Sequence, residues 1–168
     1  MDAVHGYLLD TTVASSSWDY LAPSHVNVRR RLAQLGRSLV YIAAVSIAEV
    51  EYGLQVAPSI DTQRQSVVRR AMSRYRTLDV DRHTARTYAE IRANLFRTHS
   101  PKNRRGRLTK NYVEDLIDRT TGKELGIQEN DLWIVSVAVQ YNLTFVTGDR
   151  MQRVIEAANY SDRTDYWL

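Results

Sequence analysis

The sequence predicts an α/β fold in which helices cover both faces of a parallel sheet. Short apolar runs of strand length alternate along the chain with segments of helical periodicity, an alternation typical of parallel sheets. The apolar runs end at polar residues, as strands do at the edge of a sheet. The length of 168 residues suits one domain with a sizeable core. We therefore expect a single domain over residues 1–168.

The first strand and helix are marked by their ends. Residues 7–9 are apolar and break at Asp10, so they form a strand that presents an acid at its C-terminal end. A helix is expected from Ser24, because apolar residues recur at helical spacing until Gly36 ends it. The arginines at 29–31 are expected on the solvated face of this helix.

The second strand and helix follow directly. Residues 39–43 are apolar and are expected to form a buried strand. Ser46 is expected to cap the next helix, since Glu49 three residues later completes a capping-box pattern. Pro58 ends that helix. Because Glu49 and Glu51 are two residues apart, they point to different sides of the helix.

The middle of the chain contains a third unit and an interruption. Asp61 opens a helix, residues 77–80 form a short strand, and Asp81 caps a further helix. Residues 98–126 then interrupt the alternation of strands and helices. They are interpreted as a basic insertion with a short amphipathic helix over 112–117.

The last units begin with the most apolar helix in the chain. Asn130 or Asp131 suits its N-cap, and nearly every later position to Val139 is apolar, so this helix is expected to be buried. Residues 143–146 form a strand that ends just before Asp149. Residues 165–168 are a candidate edge strand.

The composition excludes several classes of protein. Cysteine is absent, which rules out disulfide frameworks and thiolate chemistry and is typical of a cytoplasmic protein. We expect no signal peptide, because no basic flank and long apolar run stand at residues 1–7, and no apolar stretch is long enough to cross a bilayer. Nucleophile-elbow, dinucleotide-binding and P-loop motifs are also missing.

Clustered basic residues favour a polyanionic partner. The net charge is +4, from 23 basic and 19 acidic residues, and no acid interrupts the run between Arg97 and Lys110. Such a run is either a solvated loop or a contact for nucleic acid, and both interpretations stay open here. The candidates for RNA contact are Arg104, Arg105 and Arg107.

Four acids are expected at corresponding ends of successive elements. In an α/β sheet these ends share one edge, where ligands bind. Clustered carboxylates repel one another unless protons or cations intervene, and oxygen ligands suit Mg²⁺ or Mn²⁺. Metal ions held this way activate water for phosphodiester hydrolysis. The candidate catalytic and metal-binding residues are Asp10, Glu49, Asp131 and Asp149.

Each acid also has a local explanation. Asp131 and Asp149 can cap helices and Glu49 can complete a capping box, so the pattern alone leaves the structural interpretation open. Thr11 and Thr147 each lie next to the acids in sequence. Their hydroxyl groups are candidates for orienting metal-binding carboxylates.

The motifs resemble those of the PIN-domain ribonucleases, in particular the VapC toxins of bacterial toxin–antitoxin pairs. Residues 7–12 (YLLDTT) look like the family's first strand and acid, and the acid of the second motif falls on Glu49 rather than Glu51. Similar motifs of the family are found at 45–53 (VSIAEVEYG), 89–92 (AEIR), 130–134 (NDLWI) and 146–149 (VTGD).

The resemblance implies a three-layer α/β/α sandwich around a parallel sheet of five strands. It further implies an endoribonuclease dependent on Mg²⁺ or Mn²⁺, with tRNA or ribosomal RNA as substrate. A homodimer and a VapB-type antitoxin, whose C-terminal segment covers the acidic groove, are implied as well. Two features depart from the family: Thr12 replaces the common Asn or Ser, and the insertion at 98–126 is longer than usual.

The leading hypothesis is therefore a metal-dependent endoribonuclease toxin neutralised by a cognate antitoxin. A non-catalytic RNA-binding or regulatory domain on the same fold is the first alternative, and it predicts RNA binding without turnover. A nuclease of RNA maturation is another. A purely structural domain with capping acids predicts neither metal binding nor RNA binding.

Overall fold

The computed structural model describes residues 6–149 and 151–168, and its elements follow the predicted alternation. Within these residues the strands are β1 (Gly6–Leu9), β2 (Leu39–Ala43), β3 (Arg76–Leu78), β4 (Thr144–Thr147) and β5 (Thr164–Tyr166). The α-helices are α1 (Thr11–Trp18), α2 (His25–Gln34), α3 (Ala44–Gln55), α4 (Thr62–Met72), α5 (Arg82–His99), α6 (Glu129–Gln140) and α7 (Gln152–Ala157). Short 3-10 turns lie at Val113–Asp115 and Ser161–Arg163.

The strands form one parallel sheet in the order β3-β2-β1-β4-β5. Leu8 of the central strand β1 is aligned with Tyr41 of β2 and with Phe145 of β4. Because the strands run the same way, the residues that follow β1, β2 and β4 emerge at one edge of the sheet. The predicted α/β class with a five-stranded parallel sheet is confirmed.

The sheet and helices α1–α4 form one compact unit, which comprises residues 6–79, 142–149 and 163–168. Helix α1 contacts α2, α3 and α4, and the apolar side chains between helices and strands form its core. The buried residues of this core are Leu9, Val13, Ala14, Val28, Ile42, Met72, Val146 and Trp167.

A second compact unit contains α5, residues 100–128, α6 and α7. Helix α5 packs against α6 and α7. Between α5 and α6, the rings of Tyr88 and Trp133 stack 3.9 Å apart at an interplanar angle of 8°. The burial of α6 is confirmed, since its residues from Ile134 to Ala138 are all buried. No helix in the described part of the chain combines the length and apolar composition needed to span a membrane.

Two predicted helix starts are wrong. Strand β2 runs directly into α3, with Ala43 as the N-cap, so Ser46 lies within the first turn and does not cap the helix. The Ser46 hydroxyl is buried and has no hydrogen-bond partner among the described residues. Helix α6 is capped by Gln128, not by Asn130 or Asp131.

The helix predicted over 112–117 is also wrong. Only a 3-10 turn at Val113–Asp115 forms. The chain after it is extended, because Leu116 accepts a 2.9 Å hydrogen bond from the Leu125 amide and Ile117 forms an antiparallel bridge with Glu124. Antiparallel pairing with residues 124–125 thus overrides the local helical periodicity.

Candidate active site

Asp10 stands where β1 ends and α1 begins. Its Oδ1 accepts a 2.7 Å hydrogen bond from the Val13 amide, so the side chain caps α1. Its Oδ2 accepts hydrogen bonds from the Thr147 hydroxyl and, at 3.2 Å, from the Gly148 amide. The Asp10 side chain is fully buried. Asp10 therefore accepts hydrogen bonds from the first turn of α1 and from the end of β4.

Burial changes the acidity of Asp10. Loss of solvent raises the pKa of its carboxyl to about 6, although hydrogen bonds from Thr147, Val13 and Gly148 oppose the rise. The negative charge of Asp149 raises the pKa further. A carboxylate held in this way is costly to ionise unless a cation lies beside it.

Asp149 follows β4 and is held by threonines. The Thr12 hydroxyl donates a 2.8 Å hydrogen bond to Asp149 Oδ2. The Asp149 amide donates a 3.0 Å bond to the Thr147 hydroxyl oxygen. Asp149 itself is exposed and does not cap α7, whose N-cap is Met151. The capping explanation for this acid therefore fails.

Helix α3 carries two acids with different surroundings. Glu49 is half-buried and accepts a hydrogen bond from the Thr11 hydroxyl. Glu51 instead binds the Arg69 guanidinium through both carboxylate oxygens, each at 2.8 Å. Hydrogen bonding to Arg69 lowers the pKa of Glu51. Helix α3 thus places the Glu49 side chain against Thr11 of α1 and the Glu51 side chain against Arg69 of α4.

Asp131 belongs to the second compact unit. It lies in the first turn of α6, where its Oδ2 accepts a 3.0 Å hydrogen bond from the Gln128 amide. Its neighbour Glu129 forms an ion pair with Arg92 at 2.7 Å and accepts a hydrogen bond from the Tyr88 hydroxyl. Desolvation raises the pKa of Glu129.

The first compact unit thus brings three predicted acids and both predicted threonines together, namely Asp10, Glu49, Asp149, Thr11 and Thr147. Thr12 was missing from the predicted set. The signal for it was its place in the first motif, where the family commonly has Asn or Ser. The spacing of residues could not show its contact with Asp149, because that partner is 137 residues away.

Each of the three carboxylates accepts a hydrogen bond from a threonine hydroxyl, and the carboxylates are not gathered around one point. Within the described ranges, no three side chains of His, Cys, Asp or Glu lie close enough to hold a metal ion. The donors present are carboxylate and hydroxyl oxygens, which are the ligands that hard divalent cations prefer. Asp10 is buried, and a bound cation would stabilise the negative charge of its carboxylate.

The basic run in the second compact unit forms a tight turn. Lys102 pairs with Leu108 in an antiparallel bridge, and Asn103 Oδ1 accepts hydrogen bonds from the Arg105 amide at 2.9 Å and the Arg107 amide at 3.0 Å. Gly106 adopts a φ of 74° at the turn, a conformation that favours glycine. The turn leaves the side chains of Arg104, Arg105 and Arg107 exposed.

Comparisons with known proteins relate the chain to one family. The PIN domain model matches residues 7–158. A comparison with curated protein sequences found no match.

Solved structures show the same fold at low identity. A chain of VapBC2 from Rickettsia felis bound to a promoter DNA fragment is 22% identical, with a TM-score of 0.66, and the match covers 97% of this chain and 99% of that one. A chain of DNA-bound VapBC from Salmonella typhimurium is 20% identical, with a TM-score of 0.69 and coverages of 98% and 99%. VapBC-5 from Mycobacterium tuberculosis is 22% identical, with a TM-score of 0.57 and 96% coverage of each chain.

The family model and the solved structures agree on the fold. The matched range, residues 7–158, contains β1 to β4 and every acid of the candidate site. The chain belongs to the PIN domain family.

Proposed function

We propose that this chain is a VapC-type toxin, a metal-dependent endoribonuclease that hydrolyses RNA phosphodiester bonds. The observation that carries the proposal is the group of three acids in the first compact unit, Asp10, Glu49 and Asp149, with Asp10 buried and affected by the charge of Asp149. Membership of the PIN domain family and the likeness to VapBC structures support it. The substrate class is tRNA or ribosomal RNA.

Asp10, Glu49, Asp131 and Asp149 would hold Mg²⁺ or Mn²⁺. When bound, such a cation lowers the pKa of a water molecule and stabilises negative charge on the phosphate. The oxygen-only donor set fits this group, and so does the burial of Asp10, whose pKa of about 6 favours a partner of positive charge at neutral pH.

The chain's own residues orient the acids. The hydroxyls of Thr11 and Thr12 donate to Glu49 and Asp149, and Thr147 donates to Asp10. In the proposed site, Thr11 and Thr147 would hold in place the carboxylates that bind the cation. The fixed geometry reduces the reorganisation that binding requires.

RNA would be held by basic side chains outside the acidic cluster. Arg104, Arg105 and Arg107 project from an ordered turn. None of the three forms an ion pair with a carboxylate of the described residues. Such guanidinium groups neutralise phosphates that the acids would repel.

The proposal includes a partner and an assembly. A VapB-type antitoxin would neutralise the toxin, as the complexes named VapBC suggest by analogy. The active form would be a cytoplasmic homodimer. Each chain would be one PIN-like domain over 1–168, with 98–126 as an insertion that contacts RNA.

The test is to incubate the purified chain with total cellular RNA and map new 5′ ends. Discrete cuts are expected with Mg²⁺ or Mn²⁺, and none with EDTA. The Asp131→Asn variant should give no cuts. RNA binding without cuts would favour a regulatory RNA-binding domain, and equal cutting by the variant would refute the assigned site.

A further inference from the structure

A basic cavity lies at the opposite end of α1 from Asp10. Its volume is about 400 Å³. The C-terminus of α1, helix α2 and the C-terminal part of α4 surround it. The polar and aromatic residues that line it are Ser17, Trp18, His25, Arg29, Arg70 and Arg74.

The cavity carries positive charge without carboxylates. The neighbouring arginines Arg31 and Arg69 are paired, Arg31 with Asp165 at 3.6 Å and Arg69 with Glu51 at 2.8 Å. In contrast, the three cavity arginines form no ion pair with any acid in the described part of the chain. All three are exposed, and their guanidinium groups are therefore available to an anion.

Tyr75 shows that two of these charges converge. Burial raises the pKa of the Tyr75 hydroxyl, while the positive charges of Arg29 and Arg74 oppose that rise. The two guanidinium groups come from different elements, α2 and the end of α4, yet both act on one phenol oxygen. The cavity therefore brings together the positive charges of Arg29 and Arg74, which are 45 residues apart in the sequence.

Hydrogen bonds fix the wall of the cavity. The Tyr75 hydroxyl donates to Ser17 Oγ at 2.7 Å, and Ser17 Oγ donates to the Ala14 carbonyl at 2.6 Å. His25 Nδ1 lies 2.9 Å from the Ser16 carbonyl. Since a carbonyl oxygen can only accept, this nitrogen carries the proton. Side chains positioned in advance lose less freedom on binding.

We propose that this cavity binds a backbone phosphate of the RNA substrate, an inference that rests on the proposed function. Guanidinium groups match phosphate oxygens in charge and fork geometry. The half-buried Trp18 provides an aromatic surface on which an adjacent base can stack. At about 400 Å³ the cavity has room for a phosphate and part of its nucleotide, whereas an acidic peptide would use the charge but not the aromatic wall.

The distance from the acids agrees with a bound RNA strand. Helix α1 has eight residues, so it spans about 12 Å. The cavity would therefore receive a phosphate a few nucleotides along the strand from the bond at Asp10. It would fix the register of the strand on the enzyme.

The experiment measures RNA binding with a charge-matched control. The cavity variant is Arg29→Gln/Arg70→Gln/Arg74→Gln. The control is Arg30→Gln/Arg37→Gln/Arg64→Gln, which removes the same charge from exposed positions outside the cavity. A third variant, with Lys at the three cavity positions, keeps the charge. Fluorescence anisotropy of a labelled single-stranded RNA is measured in EDTA over a range of salt, and thermal melting checks the fold.

The cavity variant should bind RNA about tenfold more weakly than the control, with a shallower salt dependence by about one phosphate contact. The Arg29→Lys/Arg70→Lys/Arg74→Lys variant should bind RNA more tightly than the cavity variant but more weakly than wild type, because it keeps the charge and loses the fork geometry. Equal losses in the cavity and control variants would overturn the inference, because only net charge would matter. A labelled polyglutamate peptide is measured in the same anisotropy assay. If the cavity variant bound RNA as wild type does but lost the peptide, the inference would be overturned in favour of a protein partner.

Metal-dependent cleavage separates this inference from the proposed function. If the cavity variant binds and cleaves RNA like wild type, the inference is wrong while the nuclease assignment stands. If wild type neither binds nor cleaves RNA, both are wrong.

Discussion

The Thr147 hydroxyl donates a hydrogen bond to Asp10, and both side chains are fully buried. Asp10 follows β1 and Thr147 ends the adjacent strand β4. The sheet register therefore fixes an acid and its donor without help from a loop. The same Asp10 caps α1, so one carboxylate has a structural role as well as the proposed catalytic one.

The burial of Asp10 predicts how stability depends on pH when no metal is added. Its pKa is raised from 3.8 to about 6, so the folded state binds this proton more tightly than the unfolded state does. The stabilisation is complete below pH of about 4 and is lost as the pH rises through about 6. The expected loss is about 3 kcal/mol, measured by urea unfolding in EDTA.

The Asp10→Asn variant isolates this contribution from other titrating groups. Its free energy of unfolding, relative to wild type, should rise by about 3 kcal/mol between pH 4 and pH 7. At pH 7, added Mn²⁺ should raise the melting temperature of wild type but not of the variant. A difference that stays constant with pH would contradict the assigned pKa.

Thr12 tests whether the hydroxyl bond to Asp149 matters for catalysis. Thr12→Val removes the 2.8 Å bond but keeps the shape of the side chain. Cleavage should fall about tenfold, as expected when a residue that orients a metal ligand is lost. The Thr12→Ser variant keeps the hydroxyl and should cut nearly as wild type. Equal rates for Val and Ser would show that the bond has no role.

The strand-end acids could be predicted because their positions follow from local patterns. One short apolar run ends at Asp10 and another ends just before Asp149. These runs define strands, and the C-terminal ends of parallel strands lie at one edge of the sheet. The start of α3 could not be predicted, because the sequence does not show that Ala43 passes straight from strand to helix. Ser46 has a good capping side chain but lies one turn too late.

Contacts between distant segments account for the cavity, which the sequence does not show. Helical periodicity places Arg29 on a solvated face, and it is exposed. The helical periodicity does not show that Arg70 and Arg74, from a later segment, line the same cavity as Arg29. Tertiary packing sets such pairings, and only the structure reveals them.

Arg92 should stabilise the second compact unit. It donates to both Glu129 oxygens at 2.7 and 2.9 Å and to the Asn111 carbonyl at 2.8 Å. Since the ion pair is about one-third exposed, its own contribution is small. We expect Arg92→Ala to cost about 1–2 kcal/mol in urea unfolding and to speed amide exchange near residue 111.

Arg86→Ala is the control for Arg92, because Arg86 is exposed on the same helix. This substitution should leave the free energy of unfolding unchanged. Equal effects of the two substitutions would show that the contacts of Arg92 contribute nothing.

The basic turn should contact RNA. Replacing Arg104, Arg105 and Arg107 by Ala should weaken binding and reduce the slope of affinity against salt concentration by about 2, since each phosphate contact on a single strand contributes about 0.7. The matched control replaces Arg37, Arg82 and Arg86, which are exposed and lie outside the basic run. An unchanged salt slope in the turn variant would identify the turn as a solvated loop.

The most direct test of the proposed nuclease site is the cleavage rate of a mapped target RNA with saturating Mn²⁺. The variants are Asp10→Asn, Asp131→Asn and, as control, Asp79→Asn, an exposed acid that follows β3. We predict a loss of at least about a hundredfold for the first two and the wild-type rate for the control. Wild-type rates for Asp10→Asn and Asp131→Asn would contradict the assignment.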